Sequence, residues 1–189
     1  MLKKSALSDF LRIWLPIAFL STALCGLVYV ALQQVLRTGA DDPQIQMAED
    51  TAAALSSGKT HSELFSGKQV ELSTSLAPWI MIFEENGSLI FSTAILDGKI
   101  PEFPQGVFGY VREHGQDRIT WQPREGVRQA TVIERFQSDS AGGYVVAGRS
   151  LREVEKRIGL LLLITALAWA VSLVGLTSAI GFLTYYFSK

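Results

Sequence analysis

Residues 79–92 read WIMIFEENGSLIFS, two apolar runs joined by the polar tetrapeptide EENG. Asn-Gly between apolar runs is the strongest short-range signal for a β-hairpin, because both residues accept the positive φ angles of a tight turn. We therefore predict two antiparallel strands here. The side chains of Trp79, Phe83, Leu89 and Phe91 are expected to lie in the hydrophobic core.

The residues before the hairpin predict two helices. Asp42-Pro43 is typical of a helix start, because Asp caps the first turn and proline fits the first helical position. Gly58 is typical of the end of that helix. The segment 60–63, Thr-His-Ser-Glu, has the form of a capping box and predicts a second, short helix.

The residues after the hairpin predict one helix and three strands. A turn-rich loop leads into a short helix at 105–113, which Gly115 closes. Strands are expected at 118–122, 127–136 and 144–148, separated by turn residues. The order of elements predicts an α+β domain, with one five-stranded antiparallel sheet and the helices on one side.

Long apolar segments flank this domain. Residues 13–36 and 158–188 contain no charged residue, and about 20 apolar residues suffice to cross a bilayer. We predict a tail at 1–12, a transmembrane helix at 13–37, the α+β domain at 38–150, and a helix at 151–188 whose juxtamembrane start is continuous with a second transmembrane span. A cleaved signal peptide is the alternative for the first segment, but its apolar run exceeds the roughly 7–15 residues of such peptides.

The basic residues give conflicting indications of orientation. Three of them, Lys3, Lys4 and Arg12, precede the first span, whereas four, Arg149, Arg152, Lys156 and Arg157, precede the second. The first helix usually dominates, and long loops cross the membrane largely regardless of charge. We therefore expect a protein of the cell (inner) membrane. Both termini should lie in the cytoplasm and the central domain outside.

Composition and motifs exclude several classes of protein. The net charge of −1 argues against a nucleic-acid partner. The single cysteine, Cys25, lies in the first apolar run and allows neither an internal disulfide nor a cysteine zinc site. The sequence contains no phosphate-binding glycine loop, no His-x-x-x-His pair and no Gly-x-Ser-x-Gly motif. We expect a protein that is not an enzyme and has neither cofactor nor metal.

One group of side chains could bind a small ligand. Arginine offers a planar fork to a carboxylate, and a buried guanidinium requires an anionic partner. We predict a small anion on the sheet face beneath the short helix, held by Arg128, Arg118, Tyr110 and Trp121. The alternative is that these arginines face solvent and pair with nearby carboxylates, namely Glu113, Asp117, Glu125 or Glu134.

The second apolar segment contains a stripe of small residues at helical spacing. Its members are Ala168, Ser172, Gly175 and Ala179. Such a stripe allows another helix to approach closely. The partner helix could be the first span of the same chain or the second span of another copy in a homodimer.

The chain resembles the single Cache (PAS-like) extracytoplasmic sensor region of bacterial and archaeal receptors. The resemblance covers residues 40–157 and is carried by DDPQIQMAED, by APWIMIFEENGSLIFST and by GGYVVAGRSLREVEKR. It implies small-molecule sensing on the sheet and signalling through the second span. Such receptors continue into an output module, whereas this sequence stops at Lys189. It is therefore either a free-standing sensor that acts on a partner membrane or signalling protein, or a fragment of a longer chain.

Two functional hypotheses follow. The first is a sensor that binds a small extracytoplasmic ligand and signals through its second span. The second is a membrane-tethered accessory subunit that binds no ligand and docks onto a partner complex; an extracytoplasmic hydrolase is a third, unsupported by any motif. A buried pocket lined by Arg or Tyr would favour the sensor. Solidly packed sheet faces with an exposed apolar patch would favour the accessory subunit.

Overall fold

The computed structural model describes residues 4–39, 42–65, 67–138 and 142–187. The chain forms two compact units. One is an α+β unit, Arg37–Glu155, and the other is a helical unit built from the residues up to Leu36 and from Lys156 onward. The helices and strands, in chain order, are α1 Lys4–Thr38, α2 Asp42–Ser56, α3 His61–Leu64, β1 Val70–Glu71, β2 Trp79–Glu84, β3 Leu89–Ser92, β4 Ala94–Ile95, α4 Val107–His114, β5 Gln116–Arg124, β6 Val127–Gln137, β7 Gly142–Ser150 and α5 Arg152–Phe187.

A five-stranded sheet forms the centre of the α+β unit. Its strand order is β3-β2-β7-β6-β5, and every neighbouring pair is antiparallel. The predicted α+β class and five-stranded antiparallel sheet are confirmed. The sequence did not predict β1 and β4, which pair in parallel as a separate two-stranded sheet.

The hairpin of β2 and β3 forms as predicted, but Leu89 is 41% exposed, so its expected place in the core is wrong. Met81 pairs with Ser92 and Ile82 with Phe91. In the turn, Gly87 has φ +87°, and the Ser88 N–H donates to Asn86 Oδ1 at 2.7 Å. The Asn side chain therefore closes the turn, and glycine supplies the left-handed conformation.

The helices lie on both faces of the sheet, so the expectation of helices on one side is wrong. On the face that we call the α4 face, one core packs against α4; its members include Trp79, Met81, Phe83, Phe108, Val111, Ile133, Tyr144 and Val146. On the opposite face, the α2 face, a second core packs against α2; its members include Ala48, Ala52, Leu55, Ile80, Ile82, Val132, Val145 and Ala147. Two-sided burial explains why β2 is an unbroken apolar run rather than an alternating one.

The predicted helix ends are also present. The Glu63 carboxylate accepts the Thr60 N–H at 2.9 Å, which is the backbone half of the capping box before α3. Gly115, with φ +85°, ends α4, and its N–H donates to Val111 O at 2.7 Å. Glycine at this position avoids the clash that a Cβ would make in the left-handed region.

The helical unit consists of α1 and most of α5. Both helices are long and apolar enough to cross a membrane. They run antiparallel, since Trp14 Nε1 donates to Thr177 Oγ1 and Trp169 Nε1 donates to Thr22 Oγ1, each at 2.9 Å. Hydrogen bonds of this kind join helices that have no hydrophobic drive to associate in lipid.

The last helix, α5, runs from Arg152 to Phe187 without interruption. One helix thus extends from the end of β7 through the second apolar segment, within the predicted helix at 151–188. The first helix starts earlier than expected, because α1 begins at Lys4, inside the predicted tail.

Candidate functional site

The four residues predicted to bind a ligand are not brought together. Arg118 pairs with Val132 across β5 and β6, and Val132 belongs to the core of the α2 face, so Arg118 lies on that face. Arg128 lies on the same face, because it is four residues before Val132 on β6 and side chains alternate along a strand. Trp121 belongs to the core of the α4 face. Tyr110, on α4, is 51% exposed and stacks on His114.

Both arginines have partners within the chain. Arg128 forms an ion pair with Glu155, and both side chains are nearly half exposed. Arg118 donates from Nε and Nη2 to Gln116 Oε1 at 3.1 and 3.0 Å. The positions of the two arginines therefore fit the alternative of solvent-facing, paired side chains better than a ligand site. The partner of Arg128 is Glu155 of α5, which is not among the four carboxylates considered from the sequence.

Aromatic side chains fill the space beneath α4. The ring of Phe108 stacks on Tyr144 with centroids 4.5 Å apart. Trp121 meets Trp79 at 5.4 Å and Phe103 at 5.1 Å in edge-to-face geometry. The indole N–H of Trp79 donates to the buried Gln129 Oε1 at 3.0 Å. Trp121 is thus a core residue, 6% exposed, on the sheet face opposite Arg118 and Arg128.

Two open clefts flank the loop at residues 96–105. The larger, about 810 Å³, lies between this loop and the end of β5, and its floor includes Phe103 and Trp121. The smaller, about 420 Å³, lies between the loop and the β2–β3 turn. Asp97 lines the larger cleft with two other charged residues, Lys99 and Glu102, and is paired with Arg124.

The first turn of α5 is fastened to the α+β unit, and we call these contacts the α5 attachment. Arg152 donates from Nη1 to Ser73 O at 3.3 Å and from Nη2 to Thr74 O at 2.8 Å. Arg149 Nε donates to Leu76 O at 3.0 Å. The Arg128–Glu155 ion pair and the hydrogen bond from Leu151 N–H to Arg128 O at 2.9 Å complete the set.

A second cluster of polar side chains lies at the opposite end of β6 from Arg128, and no local pattern in the sequence predicts it. Arg112 of α4 and Arg135 of β6 both contact the Glu85 carboxylate, at 3.4 and 3.1 Å. Arg112 Nε also donates to the hydroxyl of Tyr144 at 3.3 Å. The contact with the Tyr144 hydroxyl, followed by Glu85, raises the pKa of Arg112.

On the α2 face, two carboxylates share one amide. Gln116 Nε2 donates to Glu134 Oε2 at 2.8 Å and to Glu49 Oε1 of α2 at 3.4 Å. Burial raises the pKa of Glu134, the hydrogen bond from Gln116 opposes that shift, and the negative charge of Glu49 adds to it.

The small-residue stripe of α5 only partly faces α1. Ser172 Oγ lies 3.2 Å from Ser21 Oγ of α1. The other three members, Ala168, Gly175 and Ala179, are exposed in the helical unit. Contact with α1 instead follows a neighbouring stripe, which contains the buried Ile180.

Within the described ranges, no group of three or more His, Cys, Asp or Glu side chains could hold a metal ion. Comparisons with protein-family models, with curated proteins and with solved structures found no match to this chain. The geometry of the α5 attachment and of the sheet faces therefore carries the functional assignment.

Proposed function

We propose that this chain is a two-span membrane protein whose α+β unit lies outside the cytoplasm and passes binding events to α5, as a sensor module does. The α5 attachment is the observation that carries the proposal. A helix that begins directly after β7 and continues as an apolar segment gives the α+β unit a continuous helical connection to the second apolar segment.

The chemistry of the attachment suits a relay. Arg152 holds two backbone carbonyls of residues 73–74, and Arg149 holds a third at Leu76. Hydrogen bonds from a charged donor are stronger than neutral ones, and the carbonyls belong to the segment that leads into β2. A shift of β2 against β7 would therefore pull on the first turn of α5.

The resemblance of residues 40–157 to single Cache sensor regions supports the same proposal. In this proposal α1 and α5 both cross the bilayer, and the basic tail keeps the two termini in the cytoplasm. The membrane is then the first partner of the chain, and a second copy or a separate signalling protein receives the output of α5.

A spin-label experiment tests the relay. The full chain, with Cys25→Ala and Tyr186→Cys carrying a nitroxide, is reconstituted in phospholipid nanodiscs. We expect Arg152→Ala to change the mobility of the label at the far end of α5, because the substitution frees the first turn. Arg118→Ala is the matched control, since Arg118 contacts Gln116 on β5 and not the attachment. An unchanged spectrum in Arg152→Ala would contradict the relay.

A membrane-tethered accessory subunit is the second candidate, and the packing of the sheet favours it. Both sheet faces are filled, with Trp79, Met81, Val132 and Tyr144 all less than 2% exposed. Apolar side chains are exposed instead near the edge strand β3, where Leu89 and Ile90 are each 41% exposed. This candidate predicts that the nitroxide spectrum stays the same in every variant of the attachment.

A further inference from the structure

We propose that Arg112 and Arg135 form a binding site for a small oxyanion, a carboxylate or a phosphate, at the end of α4. This oxyanion site differs from the one that the sequence indicated, which placed Arg128 first. It does not depend on the relay through α5, because binding is measured at the α+β unit itself.

The fold brings the two guanidinium groups together from distant parts of the sequence. Arg112 lies in the last turn of α4, and Gly115 ends that helix. The backbone N–H of Arg135 donates to Gly115 O at 3.0 Å, which fixes the end of α4 over β6. The two side chains therefore reach the same point, beside the Glu85 carboxylate.

The charges at this point are unbalanced. Glu85 Oε1 is 3.4 Å from Arg112 Nε and 3.1 Å from Arg135 Nη2. Among the described residues, two guanidinium groups thus share one carboxylate and leave a net positive charge. Each guanidinium has five N–H donors, more than a single carboxylate can accept with good geometry.

One donor is buried without a partner. Arg135 Nε has no contact with solvent and no hydrogen-bond acceptor in the part of the chain that the structure describes. A buried donor without an acceptor is costly, so a ligand that shifts the Arg135 side chain enough to reach Nε would remove that cost. The rest of the group still reaches solvent, since the side chains of Arg135 and Arg112 are 31% and 55% exposed.

The surrounding contacts hold Arg112 in place. Its Nε donates to the hydroxyl of Tyr144, a residue with no exposed surface, and its Nη2 lies 3.4 Å from Glu85 O. Tyr144 is itself stacked on Phe108 of α4. A guanidinium that is already positioned loses less side-chain entropy when it binds a ligand.

Carboxylate and phosphate groups match this arrangement. Each group presents at least two oxygen atoms, which can accept two parallel N–H donors from one arginine. Bound between Arg112 and Arg135, such a group would neutralise the excess charge and accept hydrogen bonds from the solvent-exposed N–H groups of both side chains. The site selects for an oxyanion and not for a cation or an apolar ligand.

Calorimetric titration of the purified full chain in detergent tests the site, with inorganic phosphate and succinate as separate probes. Sodium chloride of matched ionic strength is the reference. We expect saturable binding of at least one probe, and the two titrations show whether the site prefers phosphate or carboxylate. Absence of saturable binding by both probes would overturn the proposal.

Substitutions locate the binding. Arg135→Gln and Arg112→Gln should each weaken binding about tenfold or more, because each removes a charge-assisted hydrogen bond. Arg118→Gln removes the same charge on the α2 face and should leave binding unchanged. Equal weakening by Arg118→Gln would show a general effect of net charge and would contradict the site. If Arg135→Gln does not fold, Arg112→Gln at the more exposed position decides the question.

Discussion

The ring of Trp79 lies against strand β7 at Gly148. It can pack this closely because glycine has no side chain. A Cβ at Gly148 would overlap the atoms of the Trp79 ring. Trp79 cannot easily turn away, because it is 1% exposed and its indole N–H is bonded to Gln129. Gly148 is therefore a packing requirement of the α4 face rather than a turn residue.

Gly148→Ala should destabilise the chain by about 1–3 kcal/mol, the usual cost of overpacking a filled core. Thermal unfolding of the full chain in detergent measures the change. Gly109→Ala is the matched control, since Gly109 lies on the exposed side of α4 and a Cβ there would meet no atom within 4 Å. It should stabilise by up to about 1 kcal/mol through helix propensity. Equal unfolding temperatures for the two variants would contradict this account of Gly148.

Glu134 makes the α+β unit sensitive to pH. Its pKa is raised above the ordinary value of a glutamate chiefly by burial, so the folded state holds the proton more tightly than the unfolded state. The resulting stabilisation is complete below the unfolded pKa and is lost as pH rises through the higher folded pKa. Lowering the pH from above the folded pKa of Glu134 to below its unfolded pKa should therefore increase the free energy of unfolding.

Glu134→Gln should remove this contribution and keep an acceptor for Gln116. Unfolding temperatures measured between about pH 4 and pH 7 should fall less with rising pH in the variant than in the parent chain. Glu125→Gln, in the exposed turn between β5 and β6, is the control. A pH profile identical in Glu134→Gln and the parent would show that the carboxyl does not titrate differently on folding.

At the scale of elements, local chemistry explains what the sequence predicted. The Asn86-Gly87 turn, the capping box before α3 and the glycine that ends α4 each depend on residues less than five positions apart. The predicted strands at 118–122, 127–136 and 144–148 all lie within β5, β6 and β7. Their boundaries differ because strand ends are fixed by pairing with neighbours and not by composition.

Long-range contacts explain what the sequence did not predict. The pairing of Arg128 with Glu155 joins residues 27 apart, and that of Arg135 with Glu85 joins residues 50 apart. No local pattern in the sequence shows which face of the sheet a helix covers. The packing of α2 and α4 on opposite faces therefore separates Arg118 and Arg128 from the residues beneath α4. That packing depends on the whole fold and not on any local pattern.

The α5 attachment gives a prediction at the same scale. In Arg152→Ala, we expect the amide hydrogens of Leu151 and Glu155 to exchange roughly five- to tenfold faster, because the charged hydrogen bonds to Ser73 and Thr74 are lost. Hydrogen exchange with peptide-level mass spectrometry measures this on the full chain. Arg157→Ala, further along α5, should leave these amides unchanged. Equal exchange in the two variants would show that Arg152 does not hold the helix start.

At the scale of the whole molecule, the chain combines a filled α+β unit with two long apolar helices. The helices carry no Asp, Glu, Lys or Arg from Ile13 to Leu36 or from Ile158 to Phe187, and their contacts with each other involve Trp, Ser and Thr side chains. A sensor module and an accessory subunit would share this organisation. They differ in whether α5 responds to the α+β unit, and the proposed sensor requires that unit to lie on the outer side of the membrane.

Cysteine labelling in intact bacterial cells tests that requirement most directly. The native Cys25 is replaced by alanine, and a single cysteine is introduced at Glu125, in an exposed turn of the α+β unit, or at Leu7, 65% exposed near the start of α1. With a membrane-impermeant maleimide, we predict labelling of the Glu125→Cys chain in intact cells and of the Leu7→Cys chain only after permeabilisation. Labelling of Glu125→Cys only after permeabilisation would contradict the account.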